Sequence, residues 1–152
     1  METAEKELLY RRVSREIEAL LEGETDTVAR MAEVAAALHG AFGFWWTGFY
    51  RVCGDQLVLG PFQGPVACLR IGFGKGVCGS SWARGETIIV PDVEQFPGHI
   101  ACSAASRSEI VVPVFDAGAK IAAVLDIDSA SLATFDGTDA RFLEGIAAMI
   151  YT

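Results

Sequence analysis

A chain of 152 residues is the usual size of one domain and buries roughly 68–70% of its unfolded surface on folding. Its composition, 51% apolar and 21% charged, is that of a globular chain rather than a disordered one. Twelve basic against twenty acidic side chains leave a net charge of −8. That argues against nucleic acid or an anionic membrane as partner, since both are bound through clustered Lys and Arg.

No apolar run approaches the ~20 residues of a membrane span. The start, Met1-Glu2-Thr3-Ala4-Glu5-Lys6-Glu7, lacks the basic segment and apolar stretch of a secretory signal, so a cytoplasmic location is expected. Residues 3–22 set Leu8, Leu9, Val13, Ile17, Leu20 and Leu21 at near-helical spacing, predicting an amphipathic helix that Gly23 ends. A second helix, capped by Thr25 or Asp26, runs to about Ala41 with Val28, Met31, Val34, Ala35 and Leu38 on one face. Phe44 to Val52 is aromatic and β-prone, Gly54-Asp55 reads as a hairpin turn, and Gln56 to Leu59 as the returning strand. A short strand is expected over 66–71, a short helix over Val77–Arg84, and a strand over Thr87–Val90, stopped by Pro91-Asp92.

Residues 94–107 read as a long loop of the kind that carries function. Glu109–Phe115 and Lys120–Asp128 are strands joined by a turn at 116–118, and Thr134 or Asp136 starts a last helix that ends near Tyr151. Short turns between consecutive strands predict an α+β fold: an antiparallel sheet of about six strands with the chain-end helices on one face. With no repeat and no linker, residues 1–152 read as one domain, helical over 1–41, with sheet, loops and last helix over 44–151.

In a reducing compartment Cys53, Cys68, Cys78 and Cys102 are expected to be catalytic, metal-binding or buried rather than structural disulfides. Cys102 lies on a loop with His99 and Arg107 close by in sequence, a setting that can yield a nucleophilic thiolate. A free cysteine is equally a small buried hydrophobe, and spacing alone leaves both readings of Cys102 open. Cys53, at a strand–turn position, reads as structural. A zinc site from Cys68, Cys78, Cys102 and His99 lacks the CxxC or HxxxC pair usual in structural zinc sites, so no metal is expected.

Asp126 and Asp128 alternate along a strand and face the same side. They need a cation, a proton or water, and Glu109, at the start of the neighbouring strand, can join them. Such a cluster suits an ammonium group, and a protonated member can donate to an oxygen; a solvated strand end is the plainer alternative. Trp45 and Trp46 point to opposite faces, one expected in the core and the other able to line a pocket, with Tyr50 on the same parity if it is Trp46. Simple packing of both is the commoner arrangement. The segment Gly72-Phe73-Gly74-Lys75-Gly76 lacks the GxxxxGK[ST] pattern, so nucleotide binding is not expected there.

The three later cysteines sit in distinctive surroundings: Leu59-Gly60-Pro61-Phe62-Gln63-Gly64-Pro65-Val66-Ala67-Cys68, Gly74-Lys75-Gly76-Val77-Cys78-Gly79 and Phe96-Pro97-Gly98-His99-Ile100-Ala101-Cys102. Val90-Pro91-Asp92-Val93, Ser106-Arg107-Ser108-Glu109-Ile110-Val111-Val112-Pro113 and Val124-Leu125-Asp126-Ile127-Asp128-Ser129 complete the pattern. From about Trp46 to Leu143 the chain resembles the free methionine-(R)-sulfoxide reductases, a catalytic branch of the GAF-domain family. GAF sensor domains share the fold and a loose LDIDS-like strand but not three cysteines in these motifs.

The resemblance implies a central antiparallel sheet with helices and thiol-dependent reduction of free L-methionine-(R)-sulfoxide. It implies Cys102 as nucleophile, Cys68 as the preferred resolving cysteine and Cys78 as the alternative. Glu109, Asp126 and Asp128 match the substrate-binding acids, with Glu109 as proton donor or orienting group, and Trp46 and Tyr50 match the aromatic pocket for the methyl end. A sulfenic acid would condense to a disulfide that thioredoxin recycles, with no flavin, nicotinamide or metal, and a homodimer is compatible with it. A non-catalytic GAF sensor that binds a small molecule is the competing expectation.

Overall fold

Alternation along the central strands decides the architecture. The computed structural model describes residues 1–100 and 105–152; Cys102 lies outside the described residues. Helices α1 (Thr3–Leu21) and α2 (Thr27–Phe42) lead into β1 (Trp46–Cys53), β2 (Gln56–Gln63), β3 (Arg70–Gly72), α3 (Gly76–Arg84) and β4 (Ile88–Val90). A single 3-10 turn (Val93–Gln95) precedes β5 (Ser108–Phe115), β6 (Ile121–Ser129) and α4 (Gly137–Ala147). The six strands form one antiparallel sheet in the order β3-β2-β1-β6-β5-β4. No helix of the described residues is long and apolar enough to cross a membrane.

The sheet buries both faces, and sequence parity sorts them. Phe49, Ile110, Val112, Val114, Ala123, Leu125 and Ile127 face α1, α2 and α4 and form the main core with Tyr10, Val13, Ile17, Met31, Val34 and Leu38. Residues one step out of phase, Trp46, Tyr50, Val111 and Val124, form a second cluster with α3 through Val77 and Cys78. Each strand thus contributes to two interiors. As expected, the chain-end helices share one face, and Asp26 caps α2 by accepting from Ala29 N. Asp136 starts α4 through a capping box with Asp139.

Four local expectations are corrected. Leu8 and Val28, placed on helix faces by spacing, are 70% and 55% exposed; Leu8 lies opposite the buried stripe, and Val28 falls in the first turn of α2. Strand β2 continues past Leu59 to Gln63 because Pro61 sits at an irregularity in the β1–β2 pairing, where Gly48 pairs Phe62 but Tyr50 pairs Leu59. The opposite edge of β2 is unpaired there, since β3 reaches only Gln56–Val58, so the missing proline N–H costs no sheet bond. The strand expected over 66–71 shortens to Arg70–Gly72 for the same reason. Helix α4 stops at Ala147 in i→i+3 turns, Met149 N to Ile146 O and Ile150 N to Ala147 O, and Arg30 caps the end by donating to Met149 O.

One ionic cluster ties the first helix to the last. Lys6, within the apolar stripe of α1, donates to Asp139 Oδ2 at 2.7 Å, and Tyr10 Oη donates to Asp139 Oδ1 at 2.6 Å. The same carboxylate accepts from Asp136 N. Asp139 is 1% exposed and Lys6 7%, so neither charge has water as an alternative partner. Replacing Asp139 by Ala leaves the ammonium with only Thr134 O at 3.2 Å and the half-exposed Asp136 carboxylate at 3.5 Å. It also removes the acceptor of Tyr10, and we expect a loss of about 3 kcal/mol of unfolding free energy. Urea denaturation with an unchanged m value checks this; a loss below about 1 kcal/mol, the scale of an exposed ion pair, contradicts it.

Candidate active site

The register of β1, β6 and β5 sets three rows across the sheet face that α3 covers. Trp46 pairs Asp128, which pairs Glu109; Gly48 pairs Asp126, which pairs Val111; Tyr50 pairs Val124, which pairs Pro113. All nine residues share one parity, so aromatic and acidic side chains rise from the same face, aromatics on β1 and acids on β5 and β6. The cavity above them is lined by Trp46, Tyr50, Cys78, His99, Ser106, Glu109, Asp126 and Asp128, together with Trp45, Lys75 and Ile100.

The aromatic wall is a stack. Trp46 lies between Phe62, with ring centroids 5.2 Å apart, and Tyr50, at 5.9 Å. The Trp46 ring can lie flat because residue 48 has no side chain: a Cβ there would stand 2.7 Å from Trp46 Cη2 and 2.4 Å from Phe62 Cβ. Trp46 and Tyr50 are 4% and 2% exposed, whereas Trp45, one of the pair expected to supply a core residue, is 37% exposed and belongs to neither core cluster.

The acidic half is buried: Glu109 is 5% and Asp126 6% exposed. Burial, then the charges of Asp126 and Asp128, push the Glu109 carboxyl well above its ordinary range. Burial, then Asp126, pushes Asp128 up, opposed by a hydrogen bond from Ser106 Oγ at 2.9 Å. Burial raises Asp126 too, but hydrogen bonds from Glu109 and Cys78 oppose it. Three carboxyls cannot all ionise together in such a space; the interaction between Glu109 and Asp126 raises the former and lowers the latter, favouring a neutral Glu109 beside an ionised Asp126, and Asp128 is raised as well. Asp126 Oδ1 is buried with no hydrogen-bond partner among the described residues.

His99 Nε2 stands 3.7 Å from Glu109 Oε1, and burial lowers the His99 pKa, favouring the neutral ring. Cys78 Sγ and one oxygen each of Glu109 and Asp126 lie within 4.8 Å of one another. Chemically, that grouping accepts a cation, organic ammonium or metal ion. Cys78 is a free, buried thiol whose pKa burial and the neighbouring Asp126 drive up. Cys68 is half-exposed on the loop between β2 and β3 and is disulfide-bonded. Cys53 is free and exposed at the end of β1.

The structure therefore brings Trp46, Tyr50, Cys78, Glu109, Asp126 and Asp128 to one cavity, while Cys102 lies outside the described residues. Sequence reading missed Gly48 and Phe62. A glycine sharing parity with Trp46 and Tyr50, two residues from each, is the signal that could have found the first, since an interior strand glycine marks close approach.

A family model described as a GAF domain matches residues 22–150. The chain is 51% identical over 146 residues to GAF domain-containing protein A of Dictyostelium discoideum, covering 95% of this chain and 92% of that protein. It is 44% identical over 142 residues to the free methionine-R-sulfoxide reductase of Escherichia coli, covering 93% of this chain and 86% of that protein. Among solved structures it superposes with a TM-score of 0.93, at 53% identity, on the free methionine-R-sulfoxide reductase of Neisseria meningitidis in complex with its substrate, over 99% of this chain and 90% of that one. Matches of this extent place the chain in the GAF-domain family and, within it, among the free methionine-R-sulfoxide reductases.

Proposed function

We propose that this protein reduces free L-methionine-(R)-sulfoxide to methionine through cysteine chemistry in the cavity of Trp46, Tyr50, Glu109, Asp126 and Asp128. The observation that carries this reading is a buried acid cluster with an unpartnered oxygen, Asp126 Oδ1, facing an aromatic wall. The α-ammonium of a free amino acid supplies the charge and the donor which that oxygen lacks. A peptide-bound residue has no such ammonium, which accounts for selection of the free amino acid. The sulfoxide methyl then packs against the Trp46–Tyr50 stack, and Glu109, freed from Asp126 once the ammonium takes that carboxylate, turns its proton to the sulfoxide oxygen.

The chemical step balances with one thiol. The Cys102 thiolate attacks the sulfoxide sulfur, made electrophilic by the bond from Glu109. The sulfur gains two electrons and leaves as the thioether of methionine. The oxygen and a proton end on Cys102 as a sulfenic acid. Cys68 attacks that sulfur, a disulfide forms and water leaves. The oxidised state of Cys68, with Cys53 and Cys78 free, supports Cys68 over Cys78 as the resolving thiol. So does the buried position of Cys78, where deprotonation is opposed. A thioredoxin-like dithiol restores both cysteines by exchange, consistent with a reducing compartment such as the cytoplasm. Residues 1–152 act as one unit.

Fully reduced protein mixed with the free (R)-sulfoxide and no external reductant should release one methionine per chain. Cys102→Ser should release none, and near-normal activity in that variant rejects the assignment. Cys68→Ser should release its single methionine and recycle poorly; loss of the first turnover would give Cys68 some role other than resolving.

The raised carboxyls also predict a pH effect on the substrate-free fold. A carboxyl whose pKa is raised on folding contributes its stability below the unfolded value, near 4.5 for Glu, and loses it as pH climbs through the folded value. Glu109→Gln keeps the donor and removes the titration. The variant should therefore gain in Tm over the wild type as pH rises above about 4.5. Parallel Tm curves for the two proteins would contradict the buried, proton-holding Glu109.

A further inference from the structure

The two aromatic side chains of the pocket end in polar groups that the methyl-binding role does not use. Trp46 Nε1 donates to Pro65 O at 3.1 Å, and Tyr50 Oη donates to Cys68 O at 2.9 Å. These acceptors are the first and last residues of a four-residue arm with no regular secondary structure, Pro65-Val66-Ala67-Cys68, joining β2 to β3. The middle of the arm is open to solvent, with Val66 87% exposed. The arm enters flush against the same indole: a Cβ on Gly64 would stand 2.9 Å from Trp46 Cδ1 and 2.8 Å from Trp45 O. Beyond Cys68 the chain rejoins the sheet where Leu59 N donates to Leu69 O.

We propose that Trp46 and Tyr50 are positioning residues for the resolving thiol: their ring faces form the pocket wall while their polar tips pin the two ends of the Pro65–Cys68 arm. This rests on the reading of Cys68 as the resolving cysteine. Condensation of a sulfenic acid with a thiol forms one S–S bond, breaks one S–O bond and releases water. Its rate depends on how often the two sulfurs meet in line. An arm held at one end only samples many more positions, and loss of orientation of that kind lowers rates steeply. The Tyr50 hydroxyl is the tether at the cysteine itself, and burial and the nearby Asp126 charge keep it a neutral donor. Because the rings that pin the arm are also those that face the substrate, a ligand that shifts the stack shifts Cys68 with it.

The test separates condensation from the preceding chemistry. Reduced protein is mixed with the free (R)-sulfoxide, quenched at intervals, and assayed for methionine, for sulfenic acid by dimedone labelling and for disulfide. In Tyr50→Phe, whatever happens to substrate affinity, sulfenic acid should decay to disulfide about tenfold more slowly than in the wild type, the loss expected for one orienting hydrogen bond. Dimedone-labelled Cys102 per methionine released should rise accordingly. A glycine inserted after Val66 slackens the arm while leaving the Trp46 and Tyr50 side chains intact; because Val66 and Ala67 also line the cavity, its effect is read on the decay of sulfenic acid to disulfide, which should show the same defect, and not on substrate affinity. Wild-type decay in a folded Tyr50→Phe overturns the proposal. If that variant does not fold, the insertion decides, and wild-type decay there overturns it. The parent reading fails separately: no methionine from the wild type rejects the reaction, and wild-type recycling by Cys68→Ser rejects Cys68 as the resolving thiol.

Discussion

Three carboxyls on one face of a sheet, buried and in no ion pair with a Lys or Arg among the described residues, are the constraint from which the rest of this protein follows. Taking an ionised carboxylate out of water costs several kcal/mol unless it is paired. Here Glu109 and Asp128 are neighbours across β5 and β6, and Asp126 lies one row away. The molecule meets that cost partly with a proton on Glu109, partly with donors from Ser106 and Cys78, and leaves one oxygen of Asp126 without a partner. A site built this way is incomplete until a cationic group enters. On the proposed reading, the same deficit is what selects a free amino acid.

Such a face requires a scaffold whose stability lies elsewhere. The opposite face supplies it, through the apolar residues of β5 and β6 packed under α1, α2 and α4, and through the Lys6–Asp139 pair that locks the two chain-end helices together. The two ionic clusters obey opposite rules. Lys6 and Asp139 are matched and hydrogen-bonded, so they hold the fold. The acids of the cavity are unmatched, so they cost stability and await a ligand. Function is placed on the side of the sheet that the main core does not need, where α3 packs over it through Val77 and Cys78.

Much of this was legible in the residues themselves. The helix caps at Asp26 and Asp136, the hairpin at Gly54-Asp55 and the order of elements follow from local chemistry and appear as expected. The shared parity of Asp126 and Asp128, and of Trp46 and Tyr50, is a property of any strand and needs no register. Pairings between distant elements were not legible. Nothing local marks Lys6 as the partner of Asp139, 133 residues away, or says that Glu109 pairs with Asp128 rather than a neighbour. The extension of β2 across Pro61 was hidden because a proline is read as a stop unless the edge beside it is known to be unpaired. Gly48 was passed over because its role is to leave room, which has no signature until the Trp46 ring is placed above it.

The central claim, that the acid cluster is completed by the ammonium of a free amino acid, is tested most directly by calorimetry on the unreactive Cys102→Ser protein. Binding of free methionine-(R)-sulfoxide is measured near neutral pH in two buffers of different ionisation enthalpy. An ammonium arriving beside the buried aspartates favours their charged forms while Glu109 keeps its proton for the sulfoxide oxygen, so binding should be accompanied by proton release from Asp128, which burial raises in the free protein. The N-acetylated sulfoxide should bind at least a hundredfold more weakly, the ~3 kcal/mol scale of a buried charge left unpaired. Tight binding of both ligands with no proton exchanged would contradict the account.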